Sequence, residues 1–275
     1  MKTLVAPTDF SDKSVNAVFY AADMACMIQA DLALVHVCQV PMTFSDTPAP
    51  ASTLAGLMSE AEERIDRLAG RILDRTGGQI RTTTVVKEGN VVDEINRYCA
   101  TIDTFAVVMG AERAGAVERF LLGGRSVAAV KHLVWPVIVV PPGSEFNGIR
   151  NIGLACDFRK VTETIPYKEI EMLVNKFQTR LHVIHVTAEK GEEYSEEKIE
   201  ACSWLKDTLD ELKPVYHFIG GKDPDKGIRD FIKEHALDLL IVIPKKHSLI
   251  HKLFRKSETE KIVLHSPLPV MTIHE

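Results

Sequence analysis

Between Val107 and Ser126 the chain reads Val-Val-Met-Gly-Ala-Glu-Arg-Ala-Gly-Ala-Val-Glu-Arg-Phe-Leu-Leu-Gly-Gly-Arg-Ser, a glycine spacing suited to holding an anion. The apolar run Phe105 to Met109 predicts a buried strand that stops at Gly110. Gly115 falls in the loop that follows, and Gly123-Gly124 and Arg125 precede a helix predicted from about Ser126. Backbone without Cβ atoms beside a helix N-terminus lets a phosphate reach amide N–H groups, and the helix dipole favours its charge. Arg113 could add a charge-assisted contact, because a planar guanidinium matches phosphate oxygens. The same glycines equally serve a tight strand exit and helix entry with no ligand at all. Arg113, set among Glu112, Glu118 and Arg119, equally reads as a solvated charge.

Other reactive residue types offer less. The five cysteines (Cys26, Cys38, Cys99, Cys156 and Cys202) are odd in number and widely spaced, with no metal or redox motif, which predicts a reducing compartment. His182 and His185 lie three apart on a predicted strand and so point to opposite faces. His247 and His251 share a helical face, yet no carboxylate or cysteine stands beside them at metal-site spacing, so no metal is expected. Lys245, Lys246, Lys252, Arg255 and Lys256 form a basic segment that reads either as a solvated face or as an anion or partner site. Ser11, Ser126 and the cysteines have no neighbouring His/Asp arrangement, so no catalytic residue is assigned.

The elements that must position these residues follow one plan twice. In the first half, strand Thr3 to Ala6 ends at Pro7-Thr8-Asp9, and Ser11 is the expected N-cap of a helix over Asp12 to Ile28. That helix is predicted to bury Val15, Val18, Phe19, Ala22 and Cys26. Strand Leu32 to Cys38, a loop over Pro41 to Thr53 and an amphipathic helix over Leu54 to Asp74 come next. The apolar stripe of that helix reads as core. Strand Thr82 to Val86, a helix near Val91 to Cys99, the glycine-loop strand, a helix over Ser126 to His132 and strand Pro136 to Val140 complete the half.

After Pro141-Pro142-Gly143-Ser144 the plan restarts. Strand Asn151 to Ala155 ends at Cys156-Asp157-Phe158, which echoes Thr8-Asp9-Phe10. Leu181 to Val186 echoes Leu32 to Val37, and Leu268 to Ile273 echoes Trp135 to Val140. Between them lie a helix running through Leu212, strand Val215 to Ile219, a helix opened by Asp223-Pro224, and strand Leu237 to Ile243. Such ordered echoes indicate a tandem duplication, with domains over residues 1–143 and 147–275. Short apolar strands alternating with helices predict parallel sheets covered on both faces. Ligands in such sheets bind beyond the strand carboxyl ends, where strand order reverses, so Asp9 and Gly110 are expected on one crevice. The length of 275 residues, 45% hydrophobic and 26% charged, suits two globular domains, and a formal charge of −5 argues against nucleic acid. With no signal-like N-terminus and no long apolar stretch, neither secretion nor a membrane is expected, and the protein reads as cytoplasmic.

Val-Ala-Pro-Thr-Asp-Phe-Ser, Leu-Val-His-Val, the fourth-strand glycine loop and Pro-Val-Ile-Val-Val-Pro together resemble the universal stress protein family in its tandem form. The resemblance implies an α/β fold of two five-stranded parallel-sheet domains, Rossmann-like and of the adenine-nucleotide-hydrolase-like type. It further implies that the halves pair within one chain as an intramolecular pseudo-dimer, and it leaves room for a homodimer. Nucleotide-binding members carry G-x-x-G, nine residues, then G-[ST] at this loop. Counting back from Pro136 puts the first and third motif glycines on Gly110 and Gly123, the second on Arg113 and the Ser/Thr on Gly124. Gly115 and Ser126 lie two residues later and serve if the loop shifts register. Asp9 matches the family's acidic residue that faces the nucleoside, and Val37 the position whose backbone meets adenine.

The implied ligand is ATP or a related adenine nucleotide, with Mg²⁺ through its phosphates. The candidate binding residues are Asp9, Val37, Met109, Gly110, Arg113, Gly115, Gly123, Gly124, Arg125 and Ser126. The second half has no glycine from Pro244 to Ser257, which implies a degenerate site there. The expected role is a nucleotide-dependent sensor or switch in stress response, with at most slow hydrolysis. The alternatives are an interaction scaffold with both sites degenerate and a nucleotide hydrolase.

Overall fold

A computed structural model describes residues 1–39, 51–111, 125–155, 165–187, 196–220, 224–243, 262 and 266–273. The chain forms two compact units, Met1–Phe146 and Asn147–Glu275.

The first unit runs β1 (Thr3–Pro7), α1 (Asp12–Ile28), β2 (Asp31–Cys38), α2 (Ala51–Thr76), β3 (Thr82–Glu88), α3 (Val91–Cys99), β4 (Thr104–Gly110), α4 (Arg125–His132) and β5 (Val137–Val140). Its strands pair in parallel in the order β3-β2-β1-β4-β5. Val5 lies between Ala33 of β2 and Val107 of β4, and all three are buried, as expected of strands covered on both faces. α1 packs on β1 and β4, and α2 on β2 and β3.

Ser11 caps α1 as expected, accepting a hydrogen bond from the Ser14 amide at 3.4 Å. The buried face of α1 differs from the predicted one. Ala17, Val18, Tyr20, Ala21, Ala22, Met24, Ala25 and Ile28 go inside, whereas Val15, Phe19 and Cys26 are half-buried. The reason is that α1 lies against β1, β2, β4 and β5 and also meets α2, so it buries more than one stripe. The Phe19 ring instead lies under the guanidinium groups of Arg71 and Arg75 from α2, at 4.8 and 5.1 Å. α2 begins at Ala51, so Ala51 to Thr53 are helical and not loop. Its core stripe is Ala61, Ile65, Leu68 and Ile72, all nearly inaccessible, at helical spacing.

The second unit runs β6 (Asn151–Ala155), α5 (Tyr167–Phe177), β7 (Arg180–Thr187), α6 (Glu196–Leu209), β8 (Val215–Gly220), α7 (Pro224–Glu234), β9 (Leu239–Val242) and β10 (Val270–Thr272). The strand order β10-β9-β6-β7-β8 repeats the first unit's topology. Sequence reasoning assigned no helix between Phe158 and Leu181, yet Ile170, Leu173, Val174 and Phe177 bury one face of α5 at the helical period. α6 stops at Leu209 and gives way to a 3₁₀ turn over Asp210–Leu212, because Lys213 turns left-handed (φ 48°) ahead of Pro214. β9 starts two residues later than predicted. Ala236 is left-handed (φ 46°) and the Leu237 amide donates back to Ile232 O, so Leu237 belongs to the exit of α7. β10 is likewise shorter, since Pro269 has no N–H and the Leu268 amide donates to Ser266 Oγ at 3.3 Å.

Candidate functional site at the carboxyl ends of β1, β2 and β4

β1 has β2 on one side and β4 on the other, and the chain order runs in opposite directions from it. A crevice opens there, at the carboxyl ends of β1 and β4. The crevice is a cavity of about 320 Å³, within the range of small-molecule sites. Pro7 to Ser11 and Met109-Gly110 line it from β1 and β4, Val35 to Gln39 from β2, and Lys13 and Ser14 from the first turn of α1. Leu57, Glu60, Ala61 and Arg64 of α2 face it, as does Val91 at the start of α3.

The turn from β1 into α1 is held by short hydrogen bonds. The Thr8 amide donates to Val35 O at 2.9 Å, and the Phe10 amide donates to Thr8 Oγ1 at 3.0 Å. Asp9 Oδ1 accepts from both the amide (3.0 Å) and the hydroxyl (2.6 Å) of Ser11, and Thr8 Oγ1 lies 3.0 Å from Ser14 Oγ. These bonds keep Phe10 in the left-handed region (φ 63°), costly for a residue with a bulky side chain. The Phe10 ring then stacks on His36 with centroids 4.6 Å apart, and the Arg64 guanidinium sits 4.3 Å from the same centroid. Both groups thus pack on the Phe10 ring, which also lines the cavity. His36 Nδ1 donates to Thr8 O at 2.7 Å, since a carbonyl can only accept.

Of the residues predicted from sequence, Asp9, Val37, Met109 and Gly110 come together on this cavity. Gly110 is the last residue of β4, not the first of a loop. A Cβ placed on it would stand 2.5 Å from Lys13 O and 2.9 Å from Lys13 C, so β4 passes directly beneath the first turn of α1. The glycine is therefore required by packing, whatever binds nearby. Arg113, Gly115, Gly123 and Gly124 lie outside the described residues, as do Asp157 and the basic segment Lys245 to Lys256. Arg125 and Ser126 open α4, of which only the backbone is described at that end.

His36, Arg64 and Lys13 are site residues that sequence reasoning missed. His36 carried a signal, sitting one position before Val37 at the end of β2, whereas nothing in the sequence of α2 distinguishes Arg64 from its other arginines. Cys38 also lines the cavity. Burial, then Glu88 and Glu62, raise its thiol above the ordinary range, so it stays protonated and unreactive at neutral pH. The arrangement provides hydrogen-bonding groups around a small crevice beside a helix N-terminus, and so suits holding a ligand.

A parallel α/β domain of this topology, present twice in one chain, defines a tandem Rossmann-like protein. A profile of the Universal stress protein family matches residues 1–141 and again residues 148–274. The chain belongs to that family and carries two of its domains in tandem. It is similar to a universal stress protein of Methanocaldococcus jannaschii, 28% identical over 141 residues, covering 50% of this chain and 81% of that one. Among solved structures it resembles a universal stress protein from Archaeoglobus fulgidus (TM-score 0.77, 20% identity, 99% of this chain and 96% of that chain). It also resembles a putative universal stress protein from Pseudomonas aeruginosa (TM-score 0.61, 12% identity, 100% and 93%). At these identities the two structures speak for the fold. No helix among the described residues is long and apolar enough to cross a membrane.

The strand registers align the two halves at the site. Val107 pairs with Val137 after Pro136, and Leu240 pairs with Val270 after Pro269, so Ile243 stands where Gly110 does. A β-branched side chain therefore stands there in place of a glycine.

Proposed function

We propose that the first domain, residues 1–143, binds an adenine nucleotide, ATP or a close relative, and that occupancy switches a cytoplasmic stress-response protein between states. The observation that carries this reading is the open crevice where Asp9, Val37, Met109 and Gly110 meet beside the N-terminus of α1. The base would lie against the ends of β1 and β2. The phosphates, with Mg²⁺ riding on them, would extend toward the segment containing Gly123 and Gly124 and the start of α4, where amide N–H groups and the helix dipole favour negative charge. Arg113, Gly115, Arg125 and Ser126 are proposed on that phosphate side. Neither a general base nor an activated nucleophile is assigned, so any turnover would be slow. The second domain, residues 147–275, is proposed to have lost this site.

Calorimetric titration with ATP and Mg²⁺ tests the proposal. Saturable binding is expected, with a stability gain of about 2.7 kcal/mol at a hundredfold excess over Kd. Gly123→Val should weaken binding at least about tenfold by blocking the phosphate approach. Saturating ATP with neither heat nor thermal shift would leave the second reading, an interaction scaffold without nucleotide. The packing requirement for Gly110 favours that second reading, because it accounts for this glycine without a ligand.

Asp9 already serves the ligand-free fold by accepting from Ser11. Asp9→Ala should therefore cost about 0.5–2 kcal/mol in urea unfolding without nucleotide, the scale of a lost helix cap. An Asp9→Ala protein as stable as the parent would show that these bonds contribute nothing to the apo state.

A further inference from the structure

Three histidines of the second unit gather on one face of its sheet. In the parallel register His182 of β7 pairs with Val215 and Ile184 with His217, so His182 and His217 are diagonal neighbours. His182 Nδ1 and His217 Nε2 lie 3.0 Å apart, and the rings stack with centroids 5.2 Å apart at 25°. α7 covers them with Phe231, and His235 follows one residue past its end. Phe231 lies 4.6 Å from the His217 ring and stacks on His235 at 3.8 Å. His235 is 4.9 Å from His217 and 5.8 Å from His182. His182 is only 6% exposed, and its Nε2 is buried with no hydrogen-bond partner among the described residues.

A hydrogen bond between two imidazoles needs one N–H and one lone pair. If His217 donates, His182 Nε2 carries a buried N–H with nothing to receive it. If His182 donates, the same atom is an unused lone pair. From either arrangement, a charged His182 carries N–H on both nitrogens, so its buried Nε2–H has no acceptor, and charging both rings sets the N–H groups of His182 Nδ1 and His217 Nε2 against each other. We propose that the His182–His217 pair, roofed by α7, is an acid-responsive latch: uptake of protons by both rings releases α7 from β7 and β8. The second domain thereby senses pH, a role independent of nucleotide in the first.

The surrounding charges reinforce the latch. Burial first, then His217, His235 and Arg180 of β7, lower the pKa of His182. Burial and then His235 lower that of His217, opposed by Glu234 of α7. Of the other described charges of α7, Arg229 is half-buried, and Lys226, Asp230 and Lys233 are exposed. β6 contributes the uncharged Gly153 opposite His182, and His185 lies near Phe218 on the other face of the sheet. With folded pKa values depressed below the unfolded ones, the stabilisation is whole above the ordinary imidazole range. It is lost as pH falls through the folded values. The described residues contain no group of three His, Cys, Asp or Glu placed to hold a metal, so the proton is the ligand to test.

Hydrogen exchange on the full chain, corrected for intrinsic rates, tests the latch. Between about pH 7.5 and about pH 5.5, amides of α7 and β8 should lose about tenfold or more of their protection, while α1 and β1 keep theirs. The double variant His182→Gln, His217→Gln, which can still share an uncharged hydrogen bond, should flatten this dependence. Equal loss in both domains, or an undiminished loss in the double variant, would overturn the proposal. Should that variant not fold, NMR titration of the parent imidazoles decides: either ring titrating at or above the free-histidine value sinks the latch.

Discussion

Gly110→Ala is expected to destabilise the ligand-free protein by about 1–3 kcal/mol, the scale of overpacking in a closed site. The new methyl carbon would meet Lys13 O at 2.5 Å and Lys13 C at 2.9 Å, and both are main-chain atoms that cannot rotate away. Relief requires α1 to lift at its N-terminus, which would pull Ser11 and Ser14 from their bonds with Asp9 and Thr8. Gly153→Ala is the control. Its methyl would also crowd its neighbours, at 2.6, 3.0 and 3.2 Å, but these are the Cδ1 tips of Leu237, Ile184 and Leu240, which can change rotamer. The Gly110 variant should therefore lose more stability than the Gly153 variant in urea unfolding at unchanged m. Equal stabilities would show that β4 and α1 do not approach as closely as described. Made without nucleotide, this measurement separates the packing role of the glycine from any role toward phosphate.

Ile72→Ala should have the largest effect of all, about 2–5 kcal/mol, with a fall in Tm of roughly 5–15 °C. Ile72 is fully buried, in a stripe with Ile65 and Leu68 where α2 packs on β2 and β3. Truncation would leave a cavity that strands fixed in their ladder are poorly able to collapse into. The same helix carries Leu57, Glu60, Ala61 and Arg64 on the crevice. A loosened α2 should therefore also weaken any ligand of the first domain. Leu73→Ala next to it, at 58% exposed, should change stability by no more than about 0.5 kcal/mol. If the two variants unfold alike, the stripe is not the core of this helix.

The alternation of short apolar strands with helices, and its repetition after Pro141-Pro142, were legible without coordinates. Strand periodicity and backbone punctuation are local properties, and the strands read from them lie where expected, with ends displaced by a residue or two. Errors arose where a neighbour decided the outcome. The face that α1 buries depended on which strands and helix lie against it, and no periodicity in α1 reports those neighbours. α5 escaped sequence reasoning although its four apolar positions keep the helical period, because its N-cap position is Pro166, which makes no side-chain cap and so gives no start signal.

The site divides along the same line. Sequence alone determined the family, the two-fold repeat, and the nearness of Asp9 to Gly110, because each rests on local pattern or on the ordering rules of parallel sheets. Only the tertiary structure decided that Gly110 makes room for Lys13, that Phe10 lies against both His36 and Arg64, and that His182 meets His217 and His235. Those contacts join residues far apart in the chain. Their distances follow from helix-to-sheet packing and strand register, which no single segment encodes.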